Sequence, residues 1–134
     1  MSPCLVSRVS SLLVSSLTAM SYTYPITIRH LYSSPGHNYF THPYDAPGDH
    51  PTLEPAAVEI HANAGIVGDR FYGRGAAFDG HVTFFAWEVY QLLRQEYPDR
   101  VTTPATLRRN IIVEGMPLNQ LIGQRFAIDG VEFY

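Results

Sequence analysis

Residues 110–134 read NIIVEGMPLNQLIGQRFAIDGVEFY, and the fold is decided there. Asn110 to Val113 is a short apolar run, the pattern of a strand buried on both faces. Pro117 to Ile122 reads as a brief helical turn closed by Gly123. Arg125 to Ile128 and Val131 to Tyr134 flank Asp129-Gly130. A type I′ turn needs positive φ at both central residues, which Asp-Gly supplies at low cost, so the pair predicts a hairpin.

The same grammar extends upstream. Thr103 before Pro104 predicts a helix start with proline at its first position, opening one turn through Leu107. Between Ala86 and Tyr97, residues Val89, Leu92, Leu93 and Glu96 recur at helical spacing, and Pro98 ends the run. His81 to Phe85, Ala57 to Ala62 and Tyr24 to Tyr32 predict strands, the last carrying Ile26, Ile28 and Leu31. Residues 33–56 hold five prolines and two glycines, so a long loop is expected there. The expected class is α+β, predominantly β, a small mixed barrel with short flanking helices.

At 134 residues and 15.0 kDa the chain has room for one domain. Its 46% hydrophobic and 16% charged content is that of a globular protein. All nine basic residues are arginine, against twelve acids, for a net charge of −3. That balance argues against a nucleic-acid partner, which requires a basic surface. The absence of lysine excludes a pyridoxal phosphate Schiff base and a Walker-type phosphate loop. A single cysteine, Cys4, excludes an internal disulfide and a paired-cysteine zinc site.

Residues 1–20 are rich in Ser, Leu and Val, contain Arg8 and no acid, and precede a second methionine, Met20. They are expected to be a leader outside the fold: a disordered or misplaced start, or a transit-like peptide with Leu5, Val9, Leu12 and Leu13 on one helical face. The apolar run is too short for a membrane span, which takes ~20 residues. The expected location is cytoplasmic, with a mitochondrial one as the alternative.

Gly65-Ile66-Val67-Gly68-Asp69-Arg70, then Leu107-Arg108-Arg109-Asn110-Ile111-Ile112-Val113-Glu114-Gly115, then Leu118, Leu121, Ile122-Gly123, Phe126 and Gly130-Val131 follow one another in an order that resembles the MOSC family, named for the C-terminal domain of molybdenum-cofactor sulfurases. The resemblance runs from about Ile26 to Tyr134 and includes the Ser34-Pro35-Gly36-His37-Asn38-Tyr39-Phe40 loop. It makes residues 21–134 the N-terminal portion of a MOSC domain. It implies a β-barrel with flanking helices and molybdopterin, or a related anionic small molecule, as the ligand. The family's activities, sulfur transfer and molybdenum-dependent reduction of N-hydroxylated compounds, share one scaffold, and fold does not choose between them.

An anionic phosphate calls for guanidinium forks and amide donors at strand ends. Arg108 and Asn110, two residues apart in a segment expected to be extended, would point to one side and converge on an anion, leaving Arg109 facing away. Asp69 is read as an acceptor for backbone amides in an Asx turn, with Arg70 beside it as an anion clamp. His37 is read as a hydrogen-bond donor at the cofactor mouth rather than a metal ligand, because the six histidines do not show zinc-site spacing. The expected cofactor-binding set is therefore Asp69, Arg70, Arg108, Asn110 and His37.

In MOSC proteins a cysteine follows the strand that here begins at Val131. The sequence stops at Tyr134, so the expectation is a barrel left incomplete and a chain with no catalytic residue, unable by itself to transfer sulfur or run molybdenum redox chemistry. Two other readings stand beside this one: a non-catalytic module for a pterin or other anion, and a gene-model fragment without function.

Overall fold

A computed structural model describes residues 4–6, 8–15 and 21–134. The chain order is β1 (Cys4–Val6), β2 (Val9–Ser15), β3 (Ser21–Leu31), β4 (Ala57–His61), β5 (Gly65–Ile66), β6 (Phe84–Ala86), α1 (Trp87–Glu96), β7 (Ile111–Glu114), β8 (Arg125–Ile128) and β9 (Val131–Phe133). Two 3-10 turns, Pro104–Leu107 and Leu118–Leu121, flank β7. The architecture is α+β and predominantly β, the class that the turn-rich sequence predicts, in the form of an incomplete barrel.

Six strands form the larger sheet in the order β6-β7-β3-β2-β8-β9, and β1-β4-β5 form a smaller one. Among the described strands only the β6–β7 pair is parallel, and α1 makes that crossover possible. The large sheet curls until its two end strands face each other. Phe84 on β6 lies 5.2 Å from the Phe133 ring on β9 and 5.9 Å from Phe126 on β8, while β6 and β9 share no ladder. Aromatic rings close this seam in place of backbone hydrogen bonds, which is why the barrel is incomplete.

Inside the curl, Leu12, Ile26, Ile28, Ile111, Val113, Ile128 and Val131 pack with Leu5, Val58, Ile60 and Ile66 from the smaller sheet. In β7 the first three residues are all buried: Ile111 and Val113 belong to the core cluster, and α1 packs against the strand. The β8–β9 hairpin turns at Asp129 (φ 50°) and Gly130 (φ 82°), the left-handed pair that the Asp-Gly signal requires.

Three expectations need correction. The described part of residues 1–20 is built into the fold: β1 pairs with β4, β2 lies between β3 and β8, and Leu5 and Leu12 are fully buried. The core supplies the apolar partner that the segment lacks on its own, and Asp129 accepts from Ser10 Oγ at 2.9 Å and pairs with Arg8 at 3.3 Å. The proposed helical face of Leu5, Val9, Leu12 and Leu13 does not form, because long-range strand pairing overrides the local pattern. Met20 and residues 16–19 lie outside the described residues. Thr103 occupies the N-cap position, yet its side chain makes no capping bond.

Candidate anion-binding site

The site is assembled where the 33–56 loop folds back over the Gly68–Arg74 turn and the segment before β7. Asp69 is its anchor. Its carboxylate is completely buried and accepts from Ser34 N at 3.0 Å and from Phe71 N, two residues on, at 3.2 Å. The second contact is an Asx turn, the first a cross-link to the start of the long loop. Arg70 N donates to Ser34 O at 2.8 Å, so the two loops are stitched in both directions.

Arg70 is thereby carried inward. Its side chain is 9% exposed, with Nη1 3.5 Å from Asp69 Oδ1 and Nη2 donating to the Arg108 carbonyl at 3.2 Å. The guanidinium also lies over the Phe71 ring, 4.7 Å from its centroid. Burial holds its pKa below the ordinary arginine value. Asp69 opposes that shift, and the charges of Arg108 and Arg109 reinforce it.

Arg108 ends the Pro104–Leu107 turn in a left-handed conformation, φ 52° and ψ 41°. β7 begins only at Ile111, so Arg108 and Asn110 are not same-face neighbours in a strand, and the expected convergence of their side chains on one anion does not form. The left-handed residue reverses the chain just where extended backbone is expected. Asn110 instead turns into the fold, 2% exposed, binding Thr83 and donating from Nδ2 to Tyr32 O at 3.1 Å. Arg109 is exposed. Arg108 retains one unsatisfied group: its Nη2 is buried and has no hydrogen-bond partner among the described residues. A buried donor without an acceptor costs about 1–3 kcal/mol, more when charged, which a bound anion would relieve.

His37 stands at the rim. Its Nε2 is 2.9 Å from Arg74 Nη2, and its ring meets Phe71 edge-on at 5.1 Å and Phe40 at 5.4 Å. A guanidinium can only donate, so Nε2 is the acceptor and the ring is neutral. Burial, then Arg74 and Arg70, lower its pKa, overcoming the opposite influence of Asp69 and of a backbone hydrogen bond to Arg70. His37 therefore accepts from Arg74 through Nε2 in this arrangement.

The structure thus brings Asp69, Arg70, Arg108 and His37 into one cluster and uses Asn110 as a brace beneath it. Sequence reasoning missed Arg74 as a member, together with Phe71, Tyr39 and Phe40 as the rings that carry the guanidiniums. Arg70-Phe71 and Arg74 lie close together on one glycine-rich turn, and that alternation of cation and ring was the available signal.

A phosphate or other oxyanion fits this donor set, given the unsatisfied Arg108 Nη2 and the excess of guanidinium over carboxylate. A soft metal ligand is not part of the cluster. The chain's one thiol, Cys4, is exposed on β1 opposite Glu59, and among the described residues no three of His, Cys, Asp and Glu gather as a metal site. Two other histidines have local partners: His30 faces Glu54, and His61 lies between Glu59 and Tyr72. Comparison of the chain with family models, with curated proteins and with solved structures gives no match.

Proposed function

We propose that this chain is a MOSC-type anion-binding module that holds the phosphate of molybdopterin, or of a related small molecule, through Arg108 and Arg70. The observation that carries this reading is the buried Nη2 of Arg108, without a hydrogen-bond partner among the described residues, beside a second buried guanidinium. The order of the Gly65–Arg70 and Leu107–Gly115 motifs supports the MOSC part of it. Asp69 and Asn110 are positioning residues here, one orienting Arg70 and the other bracing the segment that carries Arg108. Molybdopterin carrying molybdenum, when bound, would supply metal-centred redox or sulfur-transfer chemistry. The residues of this cluster would bind and orient its phosphate.

Isothermal titration with inorganic phosphate, and with molybdopterin, tests the reading on wild type, Arg108→Ala and Arg109→Ala. Loss of a charge-assisted contact of ~1.5–3 kcal/mol predicts a drop of roughly one to two orders of magnitude for Arg108→Ala and much less for Arg109→Ala. Equal losses, or no binding by the folded wild type, would refute it. Circular dichroism on each variant confirms that the fold is kept.

A further inference from the structure

The 33–56 loop presents two aromatic rings at the mouth of the arginine cluster. Tyr39 and Phe40 are each 62% exposed, an unfavourable placement for large apolar side chains. They are not at the end of a loose segment. His42 N donates to Tyr39 O at 3.1 Å, closing a tight turn around Thr41, which is held at φ 69°. Just before that turn, Asn38 and His50 exchange two bonds: Asn38 Nδ2 to His50 O at 3.0 Å and His50 N to Asn38 Oδ1 at 2.8 Å. Gly48 N adds a third link to Asn38 O at 2.7 Å. Gly36 fits beneath the His50 ring only because it has no Cβ. A left-handed, β-branched residue at the tip of a cross-braced loop is a conformation imposed by its surroundings.

The rings are also placed over the charges. The Arg108 guanidinium lies 5.7 Å from the Tyr39 centroid, and that of Arg74 lies 5.7 Å from the Phe40 centroid. Each ring touches the cluster while leaving much of its surface in water, ready to stack on a further flat group. Guanidinium donors bind a phosphate whatever carries it, whereas exposed aromatic faces favour a flat π-system attached to it.

We infer that Tyr39 and Phe40 are specificity-determining residues that select a phosphomonoester carried on a flat heteroaromatic ring system over a bare phosphate. The inference rests on the anion-binding reading above and adds to it the residues that would recognise the ring carried by the phosphate.

Flavin mononucleotide serves as the probe, because it joins a phosphate to a flat ring whose fluorescence falls on aromatic stacking. Riboflavin and inorganic phosphate provide the ring alone and the anion alone. Wild type is expected to bind flavin mononucleotide at least tenfold more tightly than either control, with quenching. The Tyr39→Ala, Phe40→Ala double variant should bring the ratio of flavin mononucleotide to phosphate affinity down to about one, and Tyr39→Phe, Phe40→Tyr should restore the ratio. Equal affinity of wild type for flavin mononucleotide and phosphate, or an advantage that survives the double alanine change, overturns the aromatic selection and leaves the anion site standing. Failure of the folded protein to bind either phosphate-bearing probe overturns both.

Discussion

Thr83 and Asn110 clasp each other through three hydrogen bonds of 3.0 Å: Thr83 N and Oγ1 both donate to Asn110 Oδ1, and Asn110 N donates to Thr83 Oγ1. With Asn110 Nδ2 on Tyr32 O and Tyr32 N on Asn110 O at 2.7 Å, the clasp joins the approach to β6, the start of β7 and the end of β3. Asn110→Ala leaves Thr83 N and Tyr32 O without these partners in a buried setting, at a cost of roughly 2–4 kcal/mol. Urea unfolding should show that loss as a lowered midpoint at an unchanged slope. A variant of wild-type stability that has lost anion affinity would instead make Asn110 a ligand contact.

Leu12 carries the second prediction. It lies fully buried between Tyr24 and Ile128 of the flanking strands, so Leu12→Ala should destabilise the fold by about 2–5 kcal/mol. Arg8→Ala, removing an ion pair whose arginine is 59% exposed, should change stability by no more than about 1 kcal/mol. Thermal melts of both variants check the contrast, and an unchanged midpoint for Leu12→Ala would return β2 to the status of an appendage.

The elements readable in the sequence are those specified by neighbours. Helix α1 is legible in its position and in its stop at Pro98, though not in its face, since Val89 and Leu92 are exposed and Tyr90 is the buried residue, and the last hairpin follows from Asp129-Gly130. Strand β2 was illegible because its reasons lie elsewhere: Ser10 finds Asp129 across 119 positions, and the acid that pairs Arg8 is near the other end of the chain. A serine-rich segment without acids looks like a leader until those partners are placed. The site divides in the same way. Arg70 and Arg108 are marked by local motifs, while Tyr39, Phe40 and Arg74 meet only after the proline-rich loop folds back. The left-handed turn at Arg108 was hidden because nothing in the Leu107–Asn110 composition demands positive φ.

Tyr32 supplies a test at alkaline pH. Burial, with Glu54 and Tyr90 adding to it, pushes its phenol up to about 12 from the ordinary 10.0. In the unfolded chain the phenol ionises first, so the folded state holds the extra proton and stability falls as pH rises from about 10 towards 12. Absorbance at 295 nm should show one tyrosine lagging behind the rest, and Tyr32→Phe should abolish the lag. A wild-type titration without it would contradict the buried environment assigned to this ring.

The final prediction joins His37 to anion binding. Its folded-state pKa is lowered, so as pH falls past 6.5 the unfolded imidazole takes a proton before the folded one does. The stability held above that point is therefore lost as pH falls towards the depressed folded value. A bound anion works in the opposite direction. It offsets the repulsion from Arg74 and Arg70 and lifts the His37 pKa, so binding takes up a proton and affinity rises on acidification. Sulfate is the suitable probe, since its charge stays constant between about pH 7 and pH 5 whereas phosphate titrates within that window. Its affinity should increase across the interval in wild type and stay nearly flat in His37→Gln, with far-ultraviolet circular dichroism establishing that both remain folded. The same slope in both proteins would remove His37 from the electrostatics of the site.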